Sequence, residues 1–156
     1  MRVTPAGQVS LFFNCNPNNN LPPTLGLTTA LGVLTRGFVL VGNLPTTDGM
    51  FDTIQAGSLS VINRQGQQIA TISDPVLLDG PWDLTILDGG DWAKVSNVRN
   101  GTVTRLDLAG GANNFFVKQK VQIASGCTSR SDPAALIVGS TGFRRAAVER
   151  ALSSLY

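Results

Sequence analysis

Two stretches of this chain run in parallel. Gly26–Asn43, GLTTALGVLTRGFVLVGN, lies over Gly80–Asn97, GPWDLTILDGGDWAKVSN, without a gap at an offset of 54 residues. Phe38 then falls over Trp92 and Val41 over Val95. Further on, AGSLSVINRQGQQIATIS matches NGTVTRLDLAGGANNFFVKQKVQIAS, with Gly57 over Gly101 at an offset of 44. The ten-residue difference comes from an insertion in the first copy, within LPTTDGMFDTIQ. Identities are few. What recurs is an order: buried strand, buried strand, turn, strand, turn, outer strand. A repeated supersecondary unit restricts a fold strongly, because one unit cannot bury its apolar face alone and must stack on a neighbour.

The strands are set by glycine and proline punctuation around short runs of Val, Ile, Leu, Thr and Phe. They are expected at Gln8–Phe13, Thr29–Leu34, Phe38–Gly42, Ser58–Asn63, Gln68–Ser73, Asp83–Leu87, Ala93–Val98, Thr102–Leu108 and Phe115–Ala124. Turn signals fall at Arg64-Gln65-Gly66, Asp88-Gly89-Gly90, Asn100-Gly101 and Gly110-Gly111. Nothing reads as helix before residue 140, so the fold class is all-β. In FFVKQKVQIA, alternation puts Phe115, Val117, Val121 and Ile123 on one side and Lys118, Lys120 and Gln122 on the other. That pattern suits a strand at a sheet margin, where lysines discourage edge pairing.

Composition excludes several function classes. A chain of 156 residues with 42% hydrophobic and 14% charged residues is globular and long enough for one core. A net charge of +2 implies neither nucleic acid nor an anionic membrane as partner. No histidine is present, which removes Ser-His-Asp and Cys-His catalysis. Cys15 and Cys127 are the two cysteines; they can pair in an oxidising compartment, but the expectation is two unpaired thiols. Two such ligands are too few for a zinc site. MRVTPAGQVSLFF lacks the long apolar core and cleavage site of a signal peptide, and no run approaches a membrane span.

Fragments of the same unit flank the two copies. VTPAGQVSLFF parallels the turn and outer strand of an earlier unit, and DPAALIVGSTGF reaches Gly139, where a third would begin. Four strands per roughly 45 to 60 residues is the period of a β-propeller blade. The segments GPWDLTILDGG, VSNVRNGTVTRLDL and AGSLSVINRQGQ resemble blades of bacterial NHL-type or YncE-like six-bladed β-propellers, in an uncharacterised, mostly exported group. The resemblance covers residues 1–142 and implies a partial propeller: units at 26–74 and 80–125, with fragments at 1–13 and 132–142. It also implies that further blades are missing.

Beyond the resemblance, FRRAAVERALSSLY places Phe143, Ala147, Val148, Ala151, Leu152 and Leu155 at amphipathic helical spacing. An Ala- and Arg-rich tail over 143–156 suits a shifted reading frame in a GC-rich gene, which reads the chain as a truncated or frameshifted propeller. The alternative is a genuine helix docking on the open blade face. Either way two blades leave apolar faces uncovered, and self-association or a protein partner is expected there.

Candidate chemistry is sparse. Asp83, on the strand that would line a propeller channel, and Asn43 and Asn97, at matching ends of second strands, are weak candidates for oxygen ligands to a divalent cation. The reading nonetheless assigns no catalytic, cofactor-binding or metal site, because side chains beside turns ordinarily satisfy the backbone. Asp88, Asp91 and Asp107 are read as turn aspartates, and Trp82 and Trp92 as packing between blades. Asn100-Gly101-Thr102 fits a glycosylation sequon, but the turn itself asks for Asn-Gly. The expected function is a non-enzymatic scaffold or binding module with no cofactor. The alternative is a fragment of a metal-dependent lactonase-like propeller hydrolase, against which stands Glu149 as the sole glutamate, outside the blades.

Overall fold

The computed structural model describes residues 1–13, 26–48, 50–87, 92–111, 114–127, 138–139 and 142–143. Within them the protein is all-β. A hairpin of β1 (Arg2–Val3) and β2 (Val9–Ser10) precedes a four-stranded antiparallel sheet. That first sheet runs in sequence order through β3 (Leu27–Val33), β4 (Val39–Leu44), β5 (Ser58–Ile62) and β6 (Gln68–Ser73). The second sheet has the same simple order: β7 (Pro81–Ile86), β8 (Trp92–Asn97), β9 (Thr102–Gly110) and β10 (Phe115–Ala124). A last hairpin pairs β11 (Val138–Gly139) with β12 (Gly142–Phe143). Phe143 is therefore strand rather than the start of a helix. The helical expectation for 144–156 lies outside the described residues, as do Cys15, Asp88, Asp91 and the whole NCNPNNNLPPT loop. No helix among the described residues is long and apolar enough to cross a membrane.

The two sheets are copies in their pairing as well as in their order. Val41 pairs Leu31 on one side and Ser60 on the other; Val95 pairs Leu84 and Thr104. Val39 joins Val33 to Ile62 as Ala93 joins Ile86 to Leu106. The second strands superpose at 54 residues and the third at 44, the offsets read from the sequence. The first strands superpose at 53, because the β7–β8 connection is one residue longer than the β3–β4 connection. Both first strands also carry a bulge, between Thr28 and Leu31 and between Pro81 and Asp83.

Each sheet thus has two comparable faces. The forward face of the first sheet carries Ala30, Gly32, Leu40, Leu59, Val61 and Ile72, and its rear face carries Leu31, Val33, Val39 and Val41. The forward face of the first sheet packs on the rear face of the second, where Leu84, Ile86, Ala93, Val95 and Leu106 stand. Phe38 and Phe115 meet edge-on across this core, 5.6 Å between ring centres. Gly32 leaves room for the second sheet: a Cβ there would lie 2.3 Å from Leu84 Cδ1 and 2.9 Å from Ile86. The Thr29 hydroxyl donates to the Pro81 carbonyl at 2.6 Å, and the Arg36 guanidinium donates to the Gly110 carbonyl.

The stack is tight at the first strands and open at the fourth. β3 and β4 both lie against β7, whereas β6 and β10 touch at few points. Between them runs a groove of about 320 Å3 lined by Ala70, Ile72, Phe115 and Val117. Lys120 spans it, donating to Ser73 O at 3.0 Å and pairing with Asp74 at 2.9 Å. Strict alternation had placed Lys120 on the wet side. A bulge between Val117 and Gln119 turns it inward and sends Val121 to the opposite face, beside Arg105.

Turn chemistry repeats too. In Thr4–Gln8, Leu34–Phe38 and Asn63–Gln67 the first residue's N–H donates to the carbonyl four residues on, and the glycine N–H donates back to the first carbonyl. The three glycines hold φ of 77°, 83° and 79°, which other residues adopt only at a cost. The β8–β9 connection differs. Asn97 pairs Thr102, so the loop is four residues long, closed by Gly101 N–H to Asn97 O at 3.0 Å. The LPTTDGMFDTIQ insertion is anchored by buried Leu44 and Ile54 and includes a short 3-10 turn, Phe51–Thr53. Asp48 organises it, accepting from the Thr53 hydroxyl and from Met50 N–H, which holds its carboxyl below the usual carboxylate range.

Gly32→Val is expected to cost ~1–3 kcal/mol through overpacking against Leu84, read as a lower urea midpoint, whereas a mutation-tolerant core would show no change. The Leu77 N–H and the Lys120 ammonium hold Asp74 below its ordinary range. Folding gains from that ionised carboxylate above the ordinary carboxylate pKa and loses the gain as pH falls through the lower folded value. Asp74→Asn should therefore flatten the loss of stability between about pH 5 and about pH 3, measured by fluorescence-monitored urea melts at each pH.

Candidate functional site

The weak ligand candidates are built into the ladders by local pairing. Asp83 sits on β7 at the position that Ala30 holds on β3. Its N–H donates to Ser96 Oγ at 3.2 Å, and its own Oδ1 accepts the Leu84 N–H at 2.8 Å. Asn43 belongs to the other sheet, where its Oδ1 accepts the Gly26 N–H at 2.9 Å and fixes the entry to β3. Asn97 is 1% exposed. Its Nδ2 donates to the Leu77 carbonyl at 3.1 Å and lies 3.0 and 3.2 Å from the Thr102 and Thr104 hydroxyls. Its buried Oδ1 has no hydrogen-bond partner. Each of the three side chains thus serves its own backbone surroundings. Among the described residues no three His, Cys, Asp or Glu side chains come together to hold a metal ion.

The tryptophans divide. Trp82 packs on Leu44, Ile54 and Val98, bridging the two sheets as expected. Trp92 does not: it is 48% exposed on the forward face of the second sheet, with the Arg105 guanidinium 5.0 Å over its ring. Asp107 is a strand residue rather than a turn residue, paired with Arg105 at 2.8 Å. Asn100 works as a turn anchor: its Oδ1 accepts from the Thr102 hydroxyl at 2.7 Å and its Nδ2 donates to Val76 O at 3.1 Å. Cys127 closes the same corner through its N–H to Gly101 O at 2.9 Å.

Trp92, Lys94, Arg105 and Asp107 form a polar patch that strand-by-strand reading did not single out. Lys94 stands directly opposite Arg105 on adjacent strands. Burial, and then the Arg105 charge, hold the Lys94 ammonium below its ordinary pKa. A signal was present in the repeat. The same positions in the first sheet are Leu40 for Lys94 and Val61 for Arg105, so an apolar face in one copy is charged in the other. Thr85, Ser96 and Val103 are buried on this face, so the patch is its accessible part. Two cations beside an aromatic ring suit an acidic or aromatic group on a partner.

No family model matches the chain, and no curated protein or solved structure is found similar to it.

Asn97→Ala should cost ~1–3 kcal/mol, since it removes the amide that the buried Thr102 and Thr104 hydroxyls meet and leaves the Leu77 carbonyl with the Thr104 hydroxyl as its remaining side-chain donor. Asn43→Ala should cost ~0.5–1.5 kcal/mol, because Asn43 is half-buried and its side chain makes one bond among the described residues, to the Gly26 N–H, whereas Asn97 is enclosed among several partners. Paired urea melts test the order; equal or reversed costs contradict it.

Proposed function

We propose that this chain is a non-enzymatic binding or scaffold module made of β-propeller-type blades, contacting a protein partner through the forward face of its second sheet. The observation that carries the reading is the stacking. Two four-stranded meanders of matching register pack forward face on rear face, close at the first strands and open at the fourth, as consecutive blades do. The polar patch supports the binding role, since Trp92, Lys94 and Arg105 stand where the first sheet carries the packing residues Phe38, Leu40 and Val61. The NHL-type or YncE-like resemblance belongs to the same proposal.

The competing hydrolase makes a sharp demand. It needs acids and amides converging on a divalent cation, and Asp83 is the natural centre. The expected result is no hydrolysis of a panel of lactones above the buffer rate, with calcium, magnesium, manganese or zinc supplied in turn, and no shift of the thermal melt by those ions. Metal-dependent turnover that Asp83→Asn abolishes would replace the binding module with the enzyme.

A further inference from the structure

The repeat assigns an occupant to a bare surface. On the rear face of the first sheet Leu31 and Val33 are 66% and 62% exposed. Val39 and Val41 beside them are half-buried. Their equivalents on the second sheet are Leu84, Ile86, Ala93 and Val95, all of which belong to the core between the sheets. There Leu84 drops over Gly32. The same aliphatic surface is therefore made twice in this chain and covered once.

The bare area has a definite extent. Over β5 the rear face is already closed, with Ser58, Ser60 and Ile62 at 8%, 8% and 1% exposed. Over β6 the exposed partners of Ser60 and Ser58 are the polar Thr71 and Ser73, so the apolar open part is that over β3 and β4. What fits is thus two strands wide. It must also bring a small residue to lie under Leu31, as Gly32 lies under Leu84, and no charge, since the bare area carries none. A second copy of this chain does not meet these terms. Its Gly32 is occupied by its own Leu84, and the corresponding face of its second sheet presents Asp83, Lys94 and Arg105, with the side chain of Thr85 at the position that Gly32 holds in the first.

We propose that the rear face of β3 and β4 docks a two-stranded β-hairpin of another polypeptide, aliphatic on its contact side with glycine or alanine beneath Leu31. This continues the existing inter-sheet interface by one repeat. It deepens the binding-module reading but stands on the register alone, so lactone hydrolysis would sink that reading and leave this one untouched.

The probe is a fluorescent, head-to-tail cyclised peptide of residues 26–44 carrying Leu31→Thr, Val33→Thr, Val39→Thr and Val41→Thr. Only its Gly32 side is then apolar, and cyclisation offsets the marginal stability of a lone hairpin. Titration with the full chain should give saturable anisotropy. Leu31→Asp in the full chain should weaken binding about tenfold or more while leaving its thermal melt unchanged, because the side chain is exposed. Gly32→Val in the peptide should weaken binding similarly. No saturable binding, or binding indifferent to both changes, overturns the proposal. So does sedimentation showing a dimer of the full chain that Leu31→Asp dissociates, since the occupant would then be a second copy.

Discussion

The contact of Gly32 with Leu84 and Ile86 sets the spacing on which the rest depends. A missing side chain on β3 lets β7 come close enough for Leu84 to fill the gap, and interiors at crystal-like density do not forgive an added methyl group at such a point. Once the first strands are fixed, the meander connections place the remaining strands in order. The fourth strands end too far apart for close packing, and Lys120 crosses the resulting groove to Ser73 and Asp74. Polar groups at the margins then set direction: Thr29 to Pro81 at the first strands, Arg36 to Gly110 at the end of the third.

Much of this was legible in the residues. Gln68–Ser73 and Phe115–Ala124 are strands with the bounds that composition and punctuation gave, and the offsets of the second and third strands are those of the ladders. What escaped follows from local irregularity. A bulge reverses side-chain alternation without changing composition, so Lys120 and Val121 exchanged sides. The longer β7–β8 connection moved the first-strand offset from 54 to 53. β1 is two residues long and offers no pattern to find.

The site was less legible than the fold. Asn97 stood out for its position at a strand end, yet its role is to satisfy Leu77 O from within the core, which depends on a segment twenty residues earlier. Trp82 and Trp92 look alike in sequence and differ only in which face of β7 or β8 they occupy. The charged patch becomes visible only when the two units are compared position by position. Leu40 and Val61 are replaced there by Lys94 and Arg105, and no single-strand pattern marks that exchange.

The interface between the sheets is heterologous, one face on a different face. Contacts of that kind do not terminate by themselves: a molecule bearing both complementary faces adds copies head to tail until a ring closes or a filament grows. On the docking proposed above, this chain bears only one of them in usable form. Asp83, Lys94 and Arg105 make the other end a poor acceptor, so a fitting stranger would extend the molecule where a second copy would not. On that proposal three ordinary side-chain exchanges between two copies of a repeat act as a brake on polymerisation.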